Sequence, residues 1–546
     1  TGESDRSSLL AQSTAPAAVA GTMTFSSVTT TSMVLEWTAP SGATPTGYMV
    51  YRDDGDSQTP SIVVFDGNAL TATVSGLTGG TSYRYMVAAL SAAGVGDVSG
   101  LSTQSTSPAA PLGLSSDTQT STSITLSWSA SVVSGGSAVT SYKVYRNDGS
   151  SAGAGLSSTA AAETADGSTT TATLSDLSPG LLYSFAVSAV SAVGEGDQSS
   201  VLAQSSSPGA PASGPTSVHQ TSTSISLDWS APSSDGSSGD DASGYRLYNV
   251  AGEPAVLLYA GAESAYEQVG LTAGTSYSYA VSAVSAAGES PSTSTLVQYT
   301  APAAPTGLSS SGWTTSGFDV TWVAPAVGDG PAVTGYTLYE RVTYEMADVG
   351  SAGGVPDNVL QTMLTQSIDT VVVDTVAYDG SASTDLTTSL SGLSGGVSYD
   401  YVVAARSSAG EGDRSTALSV STSPPAPGSL ASVSQTTSSI TLSWSAPAVT
   451  TGSAVTGYKL YIDNGVTGSP STVVTCSGGA LDTTCTASGL DGGVSYSFEV
   501  SALSATGESD RSSLLAQSTA PAAVAGTMTF SSVTTTSMVL EWTAPS

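Results

Sequence analysis

The side chains that most often perform chemistry are scarce in this chain, which has one histidine and two cysteines among 546 residues. His219 lies in Ser217-Val-His-Gln220, a segment that we predict to be a first strand and that holds no acidic residue. A catalytic histidine needs a neighbouring group that orients its ring and holds its tautomer. A surface histidine is therefore the favoured interpretation, and we predict that the chain is not an enzyme.

The cysteines, Cys476 and Cys485, stand nine positions apart (485 − 476). Two alternatives are open, a disulfide or a pair of free buried thiols, and we expect the disulfide. Closing a loop of this length stabilises a fold by about 2–3 kcal/mol in the chain-entropy model. A bridge is typical of oxidising compartments, so it indicates a location outside the cell. One histidine and two cysteines are too few for metal sites built from these residues.

Carboxylates are the remaining candidates for chemistry. Gly194-Glu-Gly-Asp197, Gly410-Glu-Gly-Asp413 and Gly507-Glu-Ser-Asp510 are predicted to lie in a loop before a last strand. Neither a lysine nor a helix start follows these glycines, so a phosphate-binding loop is not indicated. The segment 235–241, Asp-Gly-Ser-Ser-Gly-Asp-Asp, offers oxygen ligands of the kind that calcium prefers. Solvated turn residues are the favoured interpretation, and we predict no cofactor, with calcium as the one ion to consider.

The charge balance excludes several partners. Eleven basic residues against 43 acidic ones give a net charge of −32. A field of this sign repels phosphate backbones, so nucleic acid is not an expected partner, and it also opposes docking on anionic membranes. No apolar run approaches the ~20 residues that cross a bilayer, and we predict no membrane span.

The chain repeats itself. Residues 1–41 recur without change as residues 506–546, which predicts one period of a longer array with a 505-residue unit (506 − 1). Inside this unit an alternating segment that ends in tryptophan recurs at Trp37, Trp128, Trp229, Trp322 and Trp444, and Trp542 opens the next copy. Five modules therefore build one unit. We predict that these tryptophans belong to the module cores.

Each module continues with the same pattern after its tryptophan. A strand of the type Tyr-x-Val/Leu-Tyr follows, and its first and third residues share one face and are predicted to pack inward. Asp53-Asp-Gly55, Asn147-Asp-Gly149 and Asp463-Asn-Gly465 then supply hairpin turn residues. A leucine precedes a second tyrosine by six positions in every module, and the tyrosines of this set are Tyr83, Tyr183, Tyr277, Tyr399 and Tyr496.

Together these features resemble the fibronectin type III family. The resemblance implies an all-β chain of tandem seven-stranded Greek-key β-sandwiches, with the leucine-tyrosine pair forming a tyrosine corner and the tyrosines in the core. An immunoglobulin sandwich is disfavoured because no cysteine pair bridges the sheets at the expected positions. The predicted modules 1 to 5 span residues 15–107, 108–207, 208–300, 301–423 and 424–519, flanked by the end of a preceding module at 1–14 and the next copy of module 1 at 520–546.

Two further features bear on function. Module 4 carries about 25 extra residues between Tyr339 and Leu393, either a lateral contact site or an elaborated hairpin of no consequence. Module junctions are short and proline-rich, as in Ser107-Pro-Ala-Ala-Pro111, which predicts an elongated, semi-rigid array of beads on a string. The Ser/Thr-rich surface, above all around the Ser-Pro junctions, also offers sites for O-linked sugars.

These observations predict a structural protein outside the cell or on its surface. We expect a filament, stalk or appendage whose partners are further copies of itself, in line and laterally. The alternative is an adhesin or receptor stalk that presents a terminal binding domain. A third hypothesis makes the modules spacers of a secreted carbohydrate-active enzyme, with the catalytic domain elsewhere.

Overall fold

A computed structural model describes residues 14–42, 44–54, 59–147, 155–233, 242–345, 355–366, 370–463, 469–476, 478–523 and 526–543. The chain divides into two compact units, and the division falls inside module 3. The first unit contains modules 1 and 2, and the second contains modules 4 and 5.

The strands of modules 1 and 2 follow from strict alternation of apolar and polar residues. Ile124, Leu126 and Trp128 are buried, whereas the residues between them are half-exposed, so one face of the strand meets a core. The strands of module 1 are β1 (Thr24–Ser26), β2 (Ser32–Glu36), β3 (Gly47–Arg52), β4 (Ile62–Gly67), β5 (Thr71–Ser75), β6 (Ser82–Ser91), β7 (Gly94–Val98) and β8 (Ser102–Ser105). Those of module 2 are β9 (Leu112–Gln119), β10 (Ile124–Ser129), β11 (Val139–Arg146), β12 (Ala162–Glu163), β13 (Thr171–Leu174), β14 (Leu182–Ser191), β15 (Gly194–Gln198) and β16 (Leu202–Ser205).

Modules 3 to 5 repeat the order, and module 4 adds a helix. Module 3 has β17 (Ser213–Gln220), β18 (Ser224–Ser230), β19 (Gly244–Asn249), β20 (Val256–Gly261), β21 (Ala265–Val269), β22 (Ser276–Ser285), β23 (Gly288–Glu289) and β24 (Leu296–Tyr299). Module 4 has β25 (Thr306–Ser311), β26 (Gly317–Val323), β27 (Gly335–Glu345), α1 (Asp357–Gln366), β28 (Thr370–Gly380), β29 (Thr387–Ser391), β30 (Ser398–Ser407), β31 (Gly410–Arg414) and β32 (Leu418–Ser421). Module 5 has β33 (Gly428–Gln435), β34 (Ser439–Ser445), β35 (Val455–Ile462), β36 (Thr472–Val474), β37 (Thr484–Ser488), β38 (Ser495–Ser504), β39 (Gly507–Glu508) and β40 (Leu515–Ser518), and β41 (Thr529–Ser531) pairs with β42 (Val539–Glu541) after it.

Each module folds into two antiparallel sheets. In module 2 the first sheet has the order β13-β10-β9 and the second has the order β12-β11-β14-β15, with β16 also pairing with β14. The other four modules show the same arrangement. Because the last strand position is occupied by two segments that both pair with β14, eight segments fill seven positions. The predicted all-β sandwich fold is confirmed.

The two sheets of a module enclose one apolar core. In module 2 the core contains Ile124, Leu126 and Trp128 from the first sheet, facing Tyr142 and Val144 from the second. The tryptophan ring of each module packs against the first tyrosine of the following strand, and in module 2 the ring centroids of Trp128 and Tyr142 lie 5.5 Å apart in a T-shaped contact.

The insertion in module 4 is a long hairpin with a helix. Strand β27 pairs with β28 along its whole length, from Tyr336 opposite Gly380 to Glu345 opposite Thr370. Asp374 on β28 is 5% exposed and accepts two hydrogen bonds of 2.8 Å from the Arg341 guanidinium. Helix α1 buries Val359 and Met363, one turn apart, on one face. No helix in the described part of the chain is long and apolar enough to cross a membrane.

Candidate intermodule interface

The second tyrosine that recurs in every module is hydrogen-bonded to the loop that precedes its strand. The Tyr83 hydroxyl accepts a hydrogen bond from the backbone N–H of Thr78 at 3.0 Å, and Tyr183 accepts one from Ser178 at 2.8 Å. Tyr277, Tyr399 and Tyr496 accept the same bond from the residue five positions upstream, each at 2.9 Å. This geometry is that of a tyrosine corner. It holds the loop before strands β6, β14, β22, β30 and β38 in one shape.

That loop makes the first recurring contact between modules. The carbonyl of Gly80 accepts a hydrogen bond of 2.8 Å from the N–H of Ser134 in the next module. Between modules 3 and 4 the carbonyl of Gly274 accepts a hydrogen bond from the N–H of Gly330 at 2.9 Å. Between modules 4 and 5 the carbonyl of Gly396 accepts one from the N–H of Gly452 at 3.0 Å. Backbone atoms make this contact, so it depends on loop shape more than on side-chain identity.

A side-chain hydrogen bond also joins each of these three pairs of modules, and we call it the clasp. The Thr30 hydroxyl of module 1 donates to the Asp197 carboxylate of module 2. In the second unit, Ser222 donates to Asp413 and Thr315 donates to Asp510. Each donor lies in the turn between the first two strands of a module. Asp197 lies in β15 and Asp413 in β31 of the next module, and Asp510 lies two residues after the end of β39. Hydrogen bonds to a charged acceptor are stronger than neutral ones.

The clasp aspartates belong to the acidic segments that were predicted to be loops, and that prediction is wrong for the first two segments and for the first half of the third. Residues 194–198 form β15 and residues 410–414 form β31, whereas β39 contains only Gly507 and Glu508 and ends before Asp510. Gly194 has φ of +133°, which an L side chain rarely adopts. A Cβ on Gly196 would lie 2.0 Å from the carbonyl oxygen of Pro108, so only glycine lets the linker pass so close.

The glutamate of each acidic segment holds that segment against the neighbouring strands of its own module, and we call its contacts the latch. In module 2, Glu195 accepts hydrogen bonds from Tyr145 and Ser188, each at 2.5 Å, and pairs with Lys143 at 3.0 Å. Modules 3 and 5 repeat the latch with Glu289 and Glu508. Glu195 and Asp197 are two positions apart on one strand, so the latch holds the segment that carries the clasp.

The other two modules vary the latch. In module 4, Glu411 accepts from Tyr339, and the cation is Arg406 on β30, while Thr337 stands at the lysine position. In module 1 the glutamate position holds Val95, and Met49 replaces the cation. The cation and the glutamate are thus present together or absent together. Their pairing depends on contact across strands, because Lys143 and Glu195 lie 52 positions apart.

The latch lowers the pKa of its glutamates. For Glu508, burial opposes ionisation, but hydrogen bonds from Lys459, Ser501 and Tyr461 outweigh it and lower the pKa from 4.5 to about 2. The pKa of Glu195 is lowered for the same reasons, with burial opposing the bonds from Ser188, Tyr145 and Lys143. These carboxylates therefore remain charged well into the acidic range.

Acid is expected to loosen β39 before β7. A folded-state pKa below the unfolded value gives stability that is complete above pH 4.5 and is lost as the pH falls toward 2. Because the latch is partly exposed, the loss should be about 1 kcal/mol after solvent screening. Deuterium exchange at pH 7 and pH 3, corrected for intrinsic rates, measures it. Strand β7 with Val95 is the internal control, and an equal loss of protection there would contradict the assignment.

The structure places the predicted site residues as follows. The Sγ atoms of Cys476 and Cys485 are 2.09 Å apart in a disulfide. Trp37, Trp128, Trp229, Trp322 and Trp444 are buried, and Tyr83, Tyr183 and Tyr496 are buried while Tyr277 and Tyr399 are half-buried. His219 lies exposed on β17.

The carboxylates do not assemble into a metal site in the part that the structure describes, where no group of three or more His, Cys, Asp or Glu could hold an ion. The calcium candidate at 235–241 lies outside the described residues, as do the turn glycines Gly55, Gly149 and Gly465. The first residues of these turns do have a role in the structure. Asp53, Asn147 and Asp463 are buried and accept backbone N–H bonds from Arg84, Ser184 and Ser497.

Comparison with known proteins gives one family along the chain. The model of the fibronectin type III domain matches residues 15–105, 109–205, 209–299, 303–421 and 424–518. Among solved structures, the FN1-FN3 domains of chicken CNTN1 are similar at 19% identity, with a TM-score of 0.24, over 58% of this chain and 99% of that one.

Three curated relatives are similar over parts of the chain. Chitinase A1 of Niallia circulans is 39% identical over 33% of this chain and 24% of its own length. Exoglucanase B of Cellulomonas fimi is 29% identical over 61% of this chain and 27% of its own length. Receptor-type tyrosine-protein phosphatase F of Homo sapiens is 27% identical over 87% of this chain and 25% of its own length. The chain thus spans about a quarter of the length of these relatives.

Proposed function

The chain belongs to the fibronectin type III family, and from that premise we propose that it is a structural protein: an extracellular filament, stalk or cell-surface appendage made of in-line copies of the 505-residue unit. A family of spacer and binding modules hosts many functions, so the proposal rests on the junctions and not on the fold.

The observation that carries the proposal is the recurrence of two contacts that flank the linker, because Ser107 of the linker is hydrogen-bonded both to Thr29 of the clasp turn and to Gly80 of the loop. The loop carbonyl of Gly80 and the clasp of Thr30 with Asp197 both join modules 1 and 2, and equivalent pairs recur twice in the second unit. One contact leaves a linker free to bend, whereas two contacts on either side of it resist bending. An array that keeps its modules from bending at their links gains length with each added copy.

The extracellular location is part of the same proposal. The disulfide between Cys476 and Cys485 supports it, because such bonds persist in oxidising surroundings. The net charge of −32 supports in-line assembly with little non-specific aggregation, since like-charged surfaces repel each other.

A second candidate function comes from the relatives. Since a chitinase and an exoglucanase match parts of the chain, the modules would serve as spacers between domains of a polysaccharide-degrading enzyme. Activity of the full-length protein on chitin or cellulose would favour this candidate.

Electron microscopy of the full-length protein, purified from its source and negatively stained, tests the structural proposal. We expect fibres that repeat along their length and associate end to end or laterally. Lone flexible threads, even in calcium-rich buffer, would contradict it. Isolated threads with a distal knob would favour a stalk that presents a terminal binding domain.

A further inference from the structure

Module 5 carries a donor turn of the kind that forms a clasp. Its turn between β33 and β34 has the geometry of the donor turns, because Thr436 accepts a hydrogen bond from the N–H of Ser438 at 3.1 Å, and the equivalent bond in module 1 joins Thr29 to Thr31 at 3.3 Å. Thr437 occupies the position of Thr30 in this turn. Thr30 is 5% exposed beneath its partner, whereas Thr437 is exposed.

Module 1 carries the acceptor side of the clasp. Strand β7 presents Asp97 at the position of Asp197, and Asp97 is exposed. A Cβ on Gly96 would lie 2.4 Å from the carbonyl oxygen of Pro16, which repeats the close approach of Gly196 to Pro108. The linker therefore enters module 1 along the same path by which it enters module 2.

The linker between module 5 and the next copy of module 1 is seen from both sides, because residues 14–18 and 519–523 have the same sequence. On the side of module 5, the N–H of Ala520 donates to Thr436 at 2.9 Å, and the N–H of Gly493 donates to Ala520 at 3.1 Å. On the side of module 1, Pro16, which corresponds to Pro521, packs against Gly96.

The junction of modules 1 and 2 shows both sides at once. There, the N–H of Ser107 donates to Thr29 at 3.1 Å, and the N–H of Gly80 donates to Ser107 at 2.8 Å. Pro108, the next residue, packs against Gly196. Ala520 and Pro521 thus occupy the positions of Ser107 and Pro108. The linker contacts made by module 5 and those made by module 1 together match the contacts at the junction of modules 1 and 2.

We infer that Thr437 of one copy of the 505-residue unit donates to Asp97 of the next copy, so that successive units are joined by the same clasp that joins modules within a unit. The partner of the Asp97 surface is thus a second copy of this chain, presented by its module 5. The inference rests on the proposed in-line arrangement of copies.

The junction of modules 2 and 3 supplies a natural contrast. Module 3 has Pro291 at the position of the clasp aspartate, so no carboxylate is available there. The Ser207 hydroxyl donates to the carbonyl of Ala287 at 2.9 Å, a contact that Ser423 repeats with Thr506 at 3.0 Å at the junction of modules 4 and 5, where the clasp is also present. Ser121, the counterpart of Thr30, is the residue that lacks an aspartate to bind.

Cysteine cross-linking in a chain of two consecutive copies tests the inference. The test variant carries Thr437→Cys in the first copy and Asp97→Cys in the second. Thr30→Cys with Asp197→Cys is the matched positive control. Thr30→Cys with Asp97→Cys is the matched contrast, because Thr30 lies where the chain leaves module 1 and Asp97 lies where it enters. Mild oxidation followed by peptide mass mapping measures how fast each introduced pair forms a bond.

We expect the test pair to close within about threefold of the positive control and about tenfold faster than the contrast pair, because a disulfide needs Cβ atoms some 4 Å apart. Closure no faster than the contrast pair would overturn the inference. All substituted residues lie on turns or strand edges, and the control pair reports that such changes leave the modules folded. Rapid closure without fibres in the microscope would contradict only the filament proposal, and fibres with slow closure would contradict only this joint.

Discussion

Trp128→Ala is expected to unfold module 2 while the other modules remain folded. The Trp128 side chain is 5% exposed and contacts the Tyr142 ring at the centre of an enclosed core. Its Nε1 has no hydrogen-bond partner, so the loss comes from packing alone. Removing an aromatic side chain from a core costs about 3–5 kcal/mol, which approaches the whole stability of a small domain.

Deuterium exchange followed by mass spectrometry resolves this effect by module. Peptides from β10, β11 and β14 should lose protection, while those from modules 4 and 5 should keep it. The matched control is Trp313→Ala, since Trp313 is 40% exposed and makes a single 3.2 Å bond to Ser310. We expect that control to cost about 0.5 kcal/mol. An equal loss of protection in both variants would show that the tryptophan does not hold a separate core.

The core could be predicted from the sequence because it is written in short-range alternation. Trp128 and the residues two and four positions before it point to one face of a strand, and five modules repeat the pattern. The repeat pattern does not determine the residue type at every core position. Tyr85 is buried with an unpartnered hydroxyl, and the equivalent positions hold Tyr279 and Tyr401 in modules 3 and 4 but Phe185 and Phe498 in modules 2 and 5.

The latch and the clasp could not be predicted in the same way, because their residues are far apart in sequence. The latch of module 2 joins two separate segments, one with Lys143 and Tyr145 and the other with Glu195. Each segment by itself has the sequence of an ordinary strand or turn. The signal that could have found the latch is joint variation among modules, since Met49 and Val95 replace cation and glutamate together in module 1. The clasp leaves a weaker signal, a single aspartate that is missing only from module 3.

Helix α1 was also missed, for a different reason. Apolar residues Val359 and Met363 stand four positions apart, which is a helical interval, but the strand-forming residues of β28 follow closely and dominate the pattern. The insertion remains a hairpin in topology. The helix belongs to its connection and leaves the order of the sheet unchanged.

Replacing Cys476 and Cys485 together by alanine is expected to lower the free energy of unfolding of module 5 by about 2–3 kcal/mol, the chain-entropy value for so short a loop. The bridge connects the chain just after β36, at the edge of one sheet, to β37 in the other sheet, where Cys485 lies opposite Leu442. It therefore fastens an edge strand of only three residues to the rest of the sandwich.

Denaturation of module 5, followed by deuterium exchange in β36 and β37, measures the effect in the natural chain and the double variant. A thiol reductant is the matched treatment, because it should weaken module 5 of the natural chain by a similar amount and leave the variant unchanged. Module 2 has no cysteine, so the reductant should leave it unaffected. If the reductant weakened the variant as much as the natural chain, the loss would not arise from the bridge, and the strongest support for an extracellular location would fall with it.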